Sequence, residues 1–434
     1  MSTDSTKKIT NYAPETSGFY PLRPIQRWLI ETNLNKVNST MMNVNAFYQI
    51  DNSIDFEKAA KAINETVAAH DIFKTRFVLH PETGELCQRF DGEITPVKIE
   101  KLSDAEFEIR KKILLQPYKL LNSPLYRIYL FETPSGKYFF CDFYHAVMDG
   151  IAIYFMFTNE VELRYKGRKF SREPLQYADY ILEELKISPE EMAAGNKYWH
   201  NIISNFDKSK HLPPADLTGK ENWQGDHFKY QFKNISEEHF KTSKRKEDTF
   251  FLAASMLTIS KTAGAKSSVM SWIHNGRRNA QELRLMGLMM EQYPISWDFE
   301  NNLSVEKFLD GLEEKMTAGL KYRRSLGIVY KEGLQDDCVT FMFQKAIRNQ
   351  DSSGTFAGTR LEYLTVPQNK FSASENVLDI ELNTLDSGNF LVDLDYDASR
   401  YSKNAMKNFA ETMDEIILQL QDEGKFISEI LEGK

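Results

Sequence analysis

The sequence is short of most patterns that would place it in a specialised class. Only three cysteines, Cys87, Cys141 and Cys338, occur in 434 residues. They are far apart and odd in number, which excludes a disulfide framework and suits a reducing, cytoplasmic compartment. Positive charge is not in excess: the formal net charge is −8, which argues against a dedicated nucleic-acid binder, since such a protein normally shows a basic face. No run is long and apolar enough to span a bilayer, so no membrane partner is expected. The first residues, 1–17, are polar and lack the apolar stretch of a secretory signal; they read as a disordered lead-in. Zinc-finger spacing, a P-loop and a GxGxxG fingerprint are also missing, so no metal and no tightly bound cofactor is expected.

What is present is the composition of an ordinary globular protein, 41% hydrophobic and 27% charged. The length exceeds one usual hydrophobic core, so two domains are the default. Residues 42–50 alternate as a strand, and 56–69 carry apolar residues at helical spacing. Residues 72–79, 86–90 and 97–100 read as strands and 104–116 as a helix. Residues 125–130 and 137–143 form a hairpin about Thr133-Pro134-Ser135-Gly136, followed by a helix over 150–165. A basic segment without apolar periodicity, 166–174, reads as a linker. Beyond it, helices are predicted over 175–184, 189–201, 236–245, 249–262, 305–323 and 402–421. Strands are predicted over 229–232, 267–274 and 338–344. A further hairpin, 378–383 with 389–396, closes about Asp386-Ser387-Gly388. Residues 211–225, with two prolines and two glycines, read as a long loop. Sheet and helix mix in both halves without a strict βαβ rhythm, so the fold class is α+β.

The segment that carries chemistry is His145-Ala-Val-Met148-Asp149-Gly150, at the junction of the hairpin and the helix. A neutral imidazole there is able to accept a proton near neutral pH. The aspartate is placed to cap the helix or hold the loop, and the glycine leaves room for close approach.

This stretch matches the HxxxDG motif of chloramphenicol acetyltransferase-like acyltransferases, and the chain resembles most the condensation domains of non-ribosomal peptide synthetases. Other segments support the resemblance in order. Tyr20-Pro-Leu-Arg-Pro-Ile-Gln26-Arg-Trp28 is similar to the opening motif. His70-Asp-Ile-Phe-Lys-Thr-Arg76-Phe77 is similar to the second. Tyr177-Ala-Asp179-Tyr180 and Tyr198-Trp199 fit the crossover between halves, and Asn275-Gly276-Arg277 fits a Gly-Arg segment after a strand. Two departures stand out: Tyr144 replaces the first histidine of the family's HHxxxDG, and Glu291 stands where the family's Gly-x-Phe-Val-Asn-Thr motif has asparagine.

The resemblance implies two chloramphenicol acetyltransferase-like lobes, 18–174 carrying HxxxDG and 175–434, forming a V about a central substrate tunnel. It implies His145 as the catalytic residue, with Asp149, Gly150 and Arg277 structural at the active site and Asp149 paired to Arg277, Arg278 being next in line. Tyr144, Met148 and Glu291 are the candidates for the tunnel or acceptor site. His70, His274 and Arg76 are expected to be structural; His80, His200, His211, His227 and His239, in loops or on polar helix faces, are expected to do nothing catalytic. The reaction implied is amide formation between a thioester-bound acyl or aminoacyl donor and the amine of a carrier-bound aminoacyl acceptor, in a starter or free-standing domain. The phosphopantetheine arm of a carrier protein, or coenzyme A, enters as substrate. Acyl or peptidyl carrier protein domains are the expected partners, with an adenylation domain downstream. Two alternatives stay open: a coenzyme A-dependent O- or N-acyltransferase on a small molecule, and a catalytically inactive docking domain.

Overall fold

The computed structural model describes residues 17–34, 39–168, 173–204, 212–218, 225–300, 302–333, 338–344, 355–356, 359–367, 377–385 and 387–433. Almost all of the expected lead-in, with parts of the linker at 166–174 and of the loop at 211–225, lies outside them, as do His211 and Asp386. The chain divides into two compact units. One is built from Met1–Lys186, Gly276–Met289 and Ser353–Ser372; the other is built from Ile187–Asn275, Met290–Ser352 and Ala373–Lys434. Sheet and helix mix in each, which is the α+β class.

The first unit is organised on a five-stranded sheet in the order Glu362–Tyr363, Asn43–Ile50, Gly136–Tyr144, Tyr126–Thr133, Lys98–Lys101. All neighbours are antiparallel except the last pair. Alternation places Phe47, Phe131 and Phe140 on one face, where they bury Phe107 and Leu114. The other face packs aromatic rings as well: Phe143 and Phe139 meet Phe157, and Phe143 meets Phe73. The helix Phe56–Ala69 starts where expected, because Asp55 accepts from the Lys58 amide and caps it. Residues 72–79 are not one strand. Asp71–Lys74 is a 3-10 turn, and the strand begins at Arg76. Local turn geometry, with Thr75 bonded back to Ile72, overrides the β-branched and aromatic pattern. The helix at 104 runs only to Lys111; its Ser103 and Glu106 capping box fixes the start, and Pro117 lies beyond its end.

The second unit is organised on a six-stranded mixed sheet in the order Glu291–Asp298, Ser267–His274, Thr340–Gln344, Leu378–Thr384, Asn389–Asp397, Gly225–Ser236. The helix Glu247–Ala263 is buried over nearly its whole circumference, as expected of a core helix. Asp414, on the helix Lys403–Leu420, accepts from the Tyr230 hydroxyl and from the Lys233 and Asn234 amides, which pins that helix to the outer strand. The strand expected over 229–232 is longer, Gly225–Ser236, because its partner Asn389–Asp397 supplies a ladder that its own polar residues do not advertise.

Candidate active site

The hairpin strand Gly136–Tyr144 delivers the HxxxDG loop. It is held on one side by Asn43–Ile50 and on the other by Tyr126–Thr133. The ladder then ends, and the His145 amide donates to Met42 O at 2.7 Å, while the Val147 amide turns back to Tyr144 O at 2.9 Å. A π-helical stretch, Ile151–Phe157, follows and runs into the α-helix Thr158–Tyr165. Asp149 caps this run: its Oδ1 accepts from the Ala152 amide at 2.9 Å.

The His145 ring is fixed by its own loop. Nδ1 lies 3.0 Å from Met148 O. A carbonyl only accepts, so Nδ1 carries the hydrogen and Nε2 presents its lone pair. Burial pushes the imidazole pKa below its ordinary value, against the pull of Asp149 and of the Met148 carbonyl. The ring is therefore neutral near pH 7, the state a proton acceptor needs.

Asp149 is 2% exposed, and its second oxygen faces the segment that returns to this unit from 276 to 289. Oδ2 accepts from Arg277 Nη1 at 2.9 Å and from the Met289 amide at 2.8 Å. Arg277 Nη2 donates on to Leu285 O at 3.2 Å. Arg278 instead pairs with Glu282. The returning loop needs its glycines. Gly276 has φ +72°, and a Cβ there would lie 1.8 Å from Met289 O. Gly287 has φ +152°, and a Cβ would lie 2.3 Å from the Tyr177 ring. The Tyr177 hydroxyl donates to Leu288 O at 2.8 Å, and Arg23 donates to the same carbonyl.

Two contacts were not anticipated from sequence. Gln26, fully buried, donates to Ala146 O at 2.9 Å and to Gln88 Oε1 at 3.1 Å, and its Oε1 accepts from the Arg23 amide. The opening motif thus grips the backbone of the HxxxDG loop. Asp71 accepts from the Tyr177 and Ala178 amides, both at 2.8 Å, and so caps the helix Tyr177–Glu184. A glutamine next to Ile25 on the apolar face of the helix Pro24–Leu34, and an aspartate beside a histidine in a short turn, were the available signals. His70 itself meets Glu160 at 2.9 Å, which also holds Arg164. Arg76 pairs with the partly exposed Asp91.

The tunnel candidates divide between the two units. Tyr144 is 1% exposed, donates to Leu29 O at 3.1 Å and packs on Phe77 and Tyr118. Met148 is buried too, beside Phe73, Phe143 and Val147 around a void of about 10 Å³, room for one water at most. Gly150 stands immediately before the π-helical stretch. Glu291 belongs to the second unit, where its carboxylate accepts from the Tyr330 hydroxyl at 2.9 Å. His274, in the same unit, is pushed down to about 4 by burial. Along the helix that follows HxxxDG lies a larger cavity, about 430 Å³, lined by Met156, Leu163 and Met286 with Lys166, Arg168 and Arg284 among its polar residues. Cys87, Cys141 and Cys338 are buried free thiols. No group among the described residues has the arrangement of a metal site, and none of their helices is long and apolar enough to cross a membrane.

A family model described as "Condensation domain" matches residues 16–429. The chain belongs to the condensation-domain family. Among curated proteins it is similar to tyrocidine synthase 3 of Brevibacillus parabrevis, 23% identical over 69% of this chain. The chain spans 5% of that protein's length. Among solved structures it is similar to the starter condensation domain of rhizomide synthetase in complex with C8-CoA, at 16% identity and a TM-score of 0.75, covering 96% of this chain and 98% of that one. It overlays equally well on the epimerization domain from the third module of tyrocidine synthetase B, at 17% identity and a TM-score of 0.75, again covering 96% and 98%. The resemblance to peptide synthetase condensation domains is thus borne out, and with it the chloramphenicol acetyltransferase-like fold. Because one fold serves both kinds of domain, the fold alone does not choose the reaction.

Proposed function

We propose that this condensation domain forms an amide between a thioester-bound acyl or aminoacyl donor and the amine of a carrier-bound aminoacyl acceptor, with His145 as the catalytic residue. One observation carries the reading: a part-buried, neutral imidazole whose Nδ1–H is committed to Met148 O, leaving Nε2 as an acceptor. The acceptor nitrogen attacks the thioester carbonyl, the C–N bond forms and the C–S bond breaks. The proton released from nitrogen passes to Nε2, and the departing sulfur leaves as a thiol once protonated. No acyl-enzyme is required, in keeping with three cysteines that are all buried. Alignment of two bound reactants supplies much of the rate.

Asp149, Gly150 and Arg277 act through the loop's shape. Neither departure from the family pattern replaces His145, Asp149 or Arg277. Tyr144 spends its ring and hydroxyl in the core, and Glu291 is held by Tyr330. The cavity beside the helix after HxxxDG offers methionine and leucine for an acyl chain; with Lys166 paired to Glu162 and Glu160 also in the lining, Arg168 and Arg284 are its cations for the phosphate of a pantetheine arm. Carrier protein domains, and an adenylation domain within the same assembly line, are the partners this reading requires. The buried thiols agree with a reducing, cytoplasmic setting.

The test is to mix wild-type and His145→Ala protein with an acyl-phosphopantetheinyl carrier and aminoacyl carriers, and to read acyl-aminoacyl product by intact mass. Product from wild type alone is expected. Turnover only with acyl-coenzyme A and a diffusible alcohol or amine would replace the reading with a small-molecule acyltransferase. Inversion of a carrier-bound residue without condensation would replace it with epimerisation. Carrier binding without any turnover would leave a docking domain.

A further inference from the structure

The sheet of the first unit turns polar where the HxxxDG loop leaves it. Alternation puts Asn43, Asp142 and Arg127 on the face that further along carries Phe47, Phe140 and Phe131. Arg127 stands directly opposite Asp142, and Asn43 stands opposite Tyr144, the next residue on that face. Asn43 is the first residue of its strand, Arg127 the second of another, and Tyr144 the last of the strand between them.

Asp142 is fully buried, and the proposed reaction does not use it. Its Oδ2 accepts from Asn43 Nδ2 at 2.9 Å, from Arg127 Nη1 at 3.0 Å and from the Tyr118 hydroxyl at 3.0 Å. Asn43 Nδ2 donates also to Gln116 O at 3.1 Å, and Arg127 donates to Gln116 O at 2.6 Å and to Pro117 O at 2.9 Å. A buried ion pair is weak grounds for stability, since apolar side chains of the same volume often serve as well. What a satisfied set of directed hydrogen bonds adds is one fixed arrangement. The backbone fixed here is the backbone that holds the loop. Met42 O, one residue before Asn43, takes the His145 amide at 2.7 Å. Leu125 O, two residues before Arg127, takes the Tyr144 amide at 2.9 Å. Asp149 anchors the loop after the histidine; Asp142 anchors its strand before it.

We propose that Asp142 is a positioning residue for His145: through Asn43 and Arg127 it fixes the Met42 and Leu125 carbonyls, and with them the place of the imidazole. The proposal rests on His145 as the catalytic residue.

The full chain tests it near pH 8, because burial pushes the Asp142 carboxyl up to about 7 against Arg127, Tyr118 and Asn43, and the carboxylate prevails above that. Asn43→Ala cuts the link to Met42 and leaves the Asp142–Arg127 pair. Asp142→Asn removes the charge that gathers the three donors. Each should speed amide exchange at His145 about tenfold relative to Phe140 in the same strand, as local opening does. With acyl-phosphopantetheinyl and aminoacyl carriers, each should lower kcat about ten- to a hundredfold and leave KM nearly unchanged, since misplacement acts on the reacting geometry. Glu100→Gln is the control. It breaks the two-bond pair with Arg110 on the edge strand of the same sheet, so it lowers stability away from the loop, and kcat and His145 exchange should hold. Asn43→Ala carries the test should Asp142→Asn fold poorly. Exchange is read without turnover: faster exchange at His145 beside a wild type that makes no amide would keep the anchor and sink the reading of His145. Exchange at His145 that does not outpace Phe140 in Asn43→Ala, or kcat that falls no further in both variants than in Glu100→Gln, would overturn the proposal.

Discussion

At His145 the chemistry turns on which ring nitrogen carries the proton, and the Met148 carbonyl decides it. Because burial lowers the folded-state pKa, the imidazole stays neutral at pH values where a free histidine is already charged. NMR titration of the wild-type protein against His145→Ala should therefore place this resonance's midpoint below the ordinary histidine value. The stability consequence follows by linkage. Above the unfolded pKa both states are neutral and His145 contributes nothing. As pH falls below it, the unfolded chain takes a proton that the folded site resists, so stability drops. His145→Ala should shallow that acid decline in urea unfolding; an unchanged slope would contradict the lowered pKa. Asp149 behaves differently. Asp149→Ala strands the Arg277 guanidinium, whose side chain is fully buried, and should cost about 3–5 kcal/mol. Asp149→Ala combined with Arg277→Met should recover part of that loss in the same unfolding measurement. Lost activity in the single variant alone would then be no sign that Asp149 does chemistry.

At the scale of elements, the HxxxDG loop is held by three separate stretches of chain. Gln26 holds Ala146 O, the Met289 amide and Arg277 hold Asp149, and Met42 O takes the His145 amide. The returning loop tolerates no side chain at Gly276, where left-handed backbone and a Cβ 1.8 Å from a carbonyl coincide. Gly276→Ala is expected to destabilise by at least about 1–3 kcal/mol and to loosen Asp149, read as faster amide exchange at Ala152 and Met289. Gly84→Ala is the control for backbone strain alone: its φ is +71°, but its Cβ would meet nothing within 4 Å. A loss no larger at Gly276 than at Gly84 would mean that the close approach to Met289 is not what fixes the loop.

At the scale of the whole molecule, pH acts on the two units in opposite senses. His145 loosens the first unit in acid. In the second unit Glu381, raised from 4.5 to about 7, is held protonated in the folded state. Its contribution is full below the unfolded value and is lost as pH rises through about 7. Asp393 lies opposite it and Asp395 beside that on the neighbouring strand, Asp379 shares its own strand and face, and Lys229 and His227 lie on the outer strand. Glu381→Gln should thus gain stability over wild type as pH is raised from 5 to 8, in urea midpoints measured across that range. A constant difference would show that the carboxyl titrates normally.

Sequence by itself determined the α+β class, the hairpin that presents HxxxDG, most of the long helices and the family. Those features rest on periodicity, capping residues and turn chemistry, which are local and survive as pattern. It also singled out His145, Asp149 and Arg277. The strand Glu291–Asp298 went unread although Tyr293, Ile295 and Trp297 alternate with Gln292, Ser296 and Asp298, because Pro294 in its middle reads against a strand; its neighbour Ser267–His274 supplies the ladder. Tyr144 and Glu291 looked like departures in a binding site; only packing shows one as a core ring bonded to Leu29 O and the other as an acceptor for Tyr330. The role of Gln26 and the regrouping of residues 276–289 with the first unit were likewise decided by tertiary structure alone. Each depends on residues far apart in the chain meeting at hydrogen-bond distance, and no local pattern encodes which distant partner a buried polar group will find.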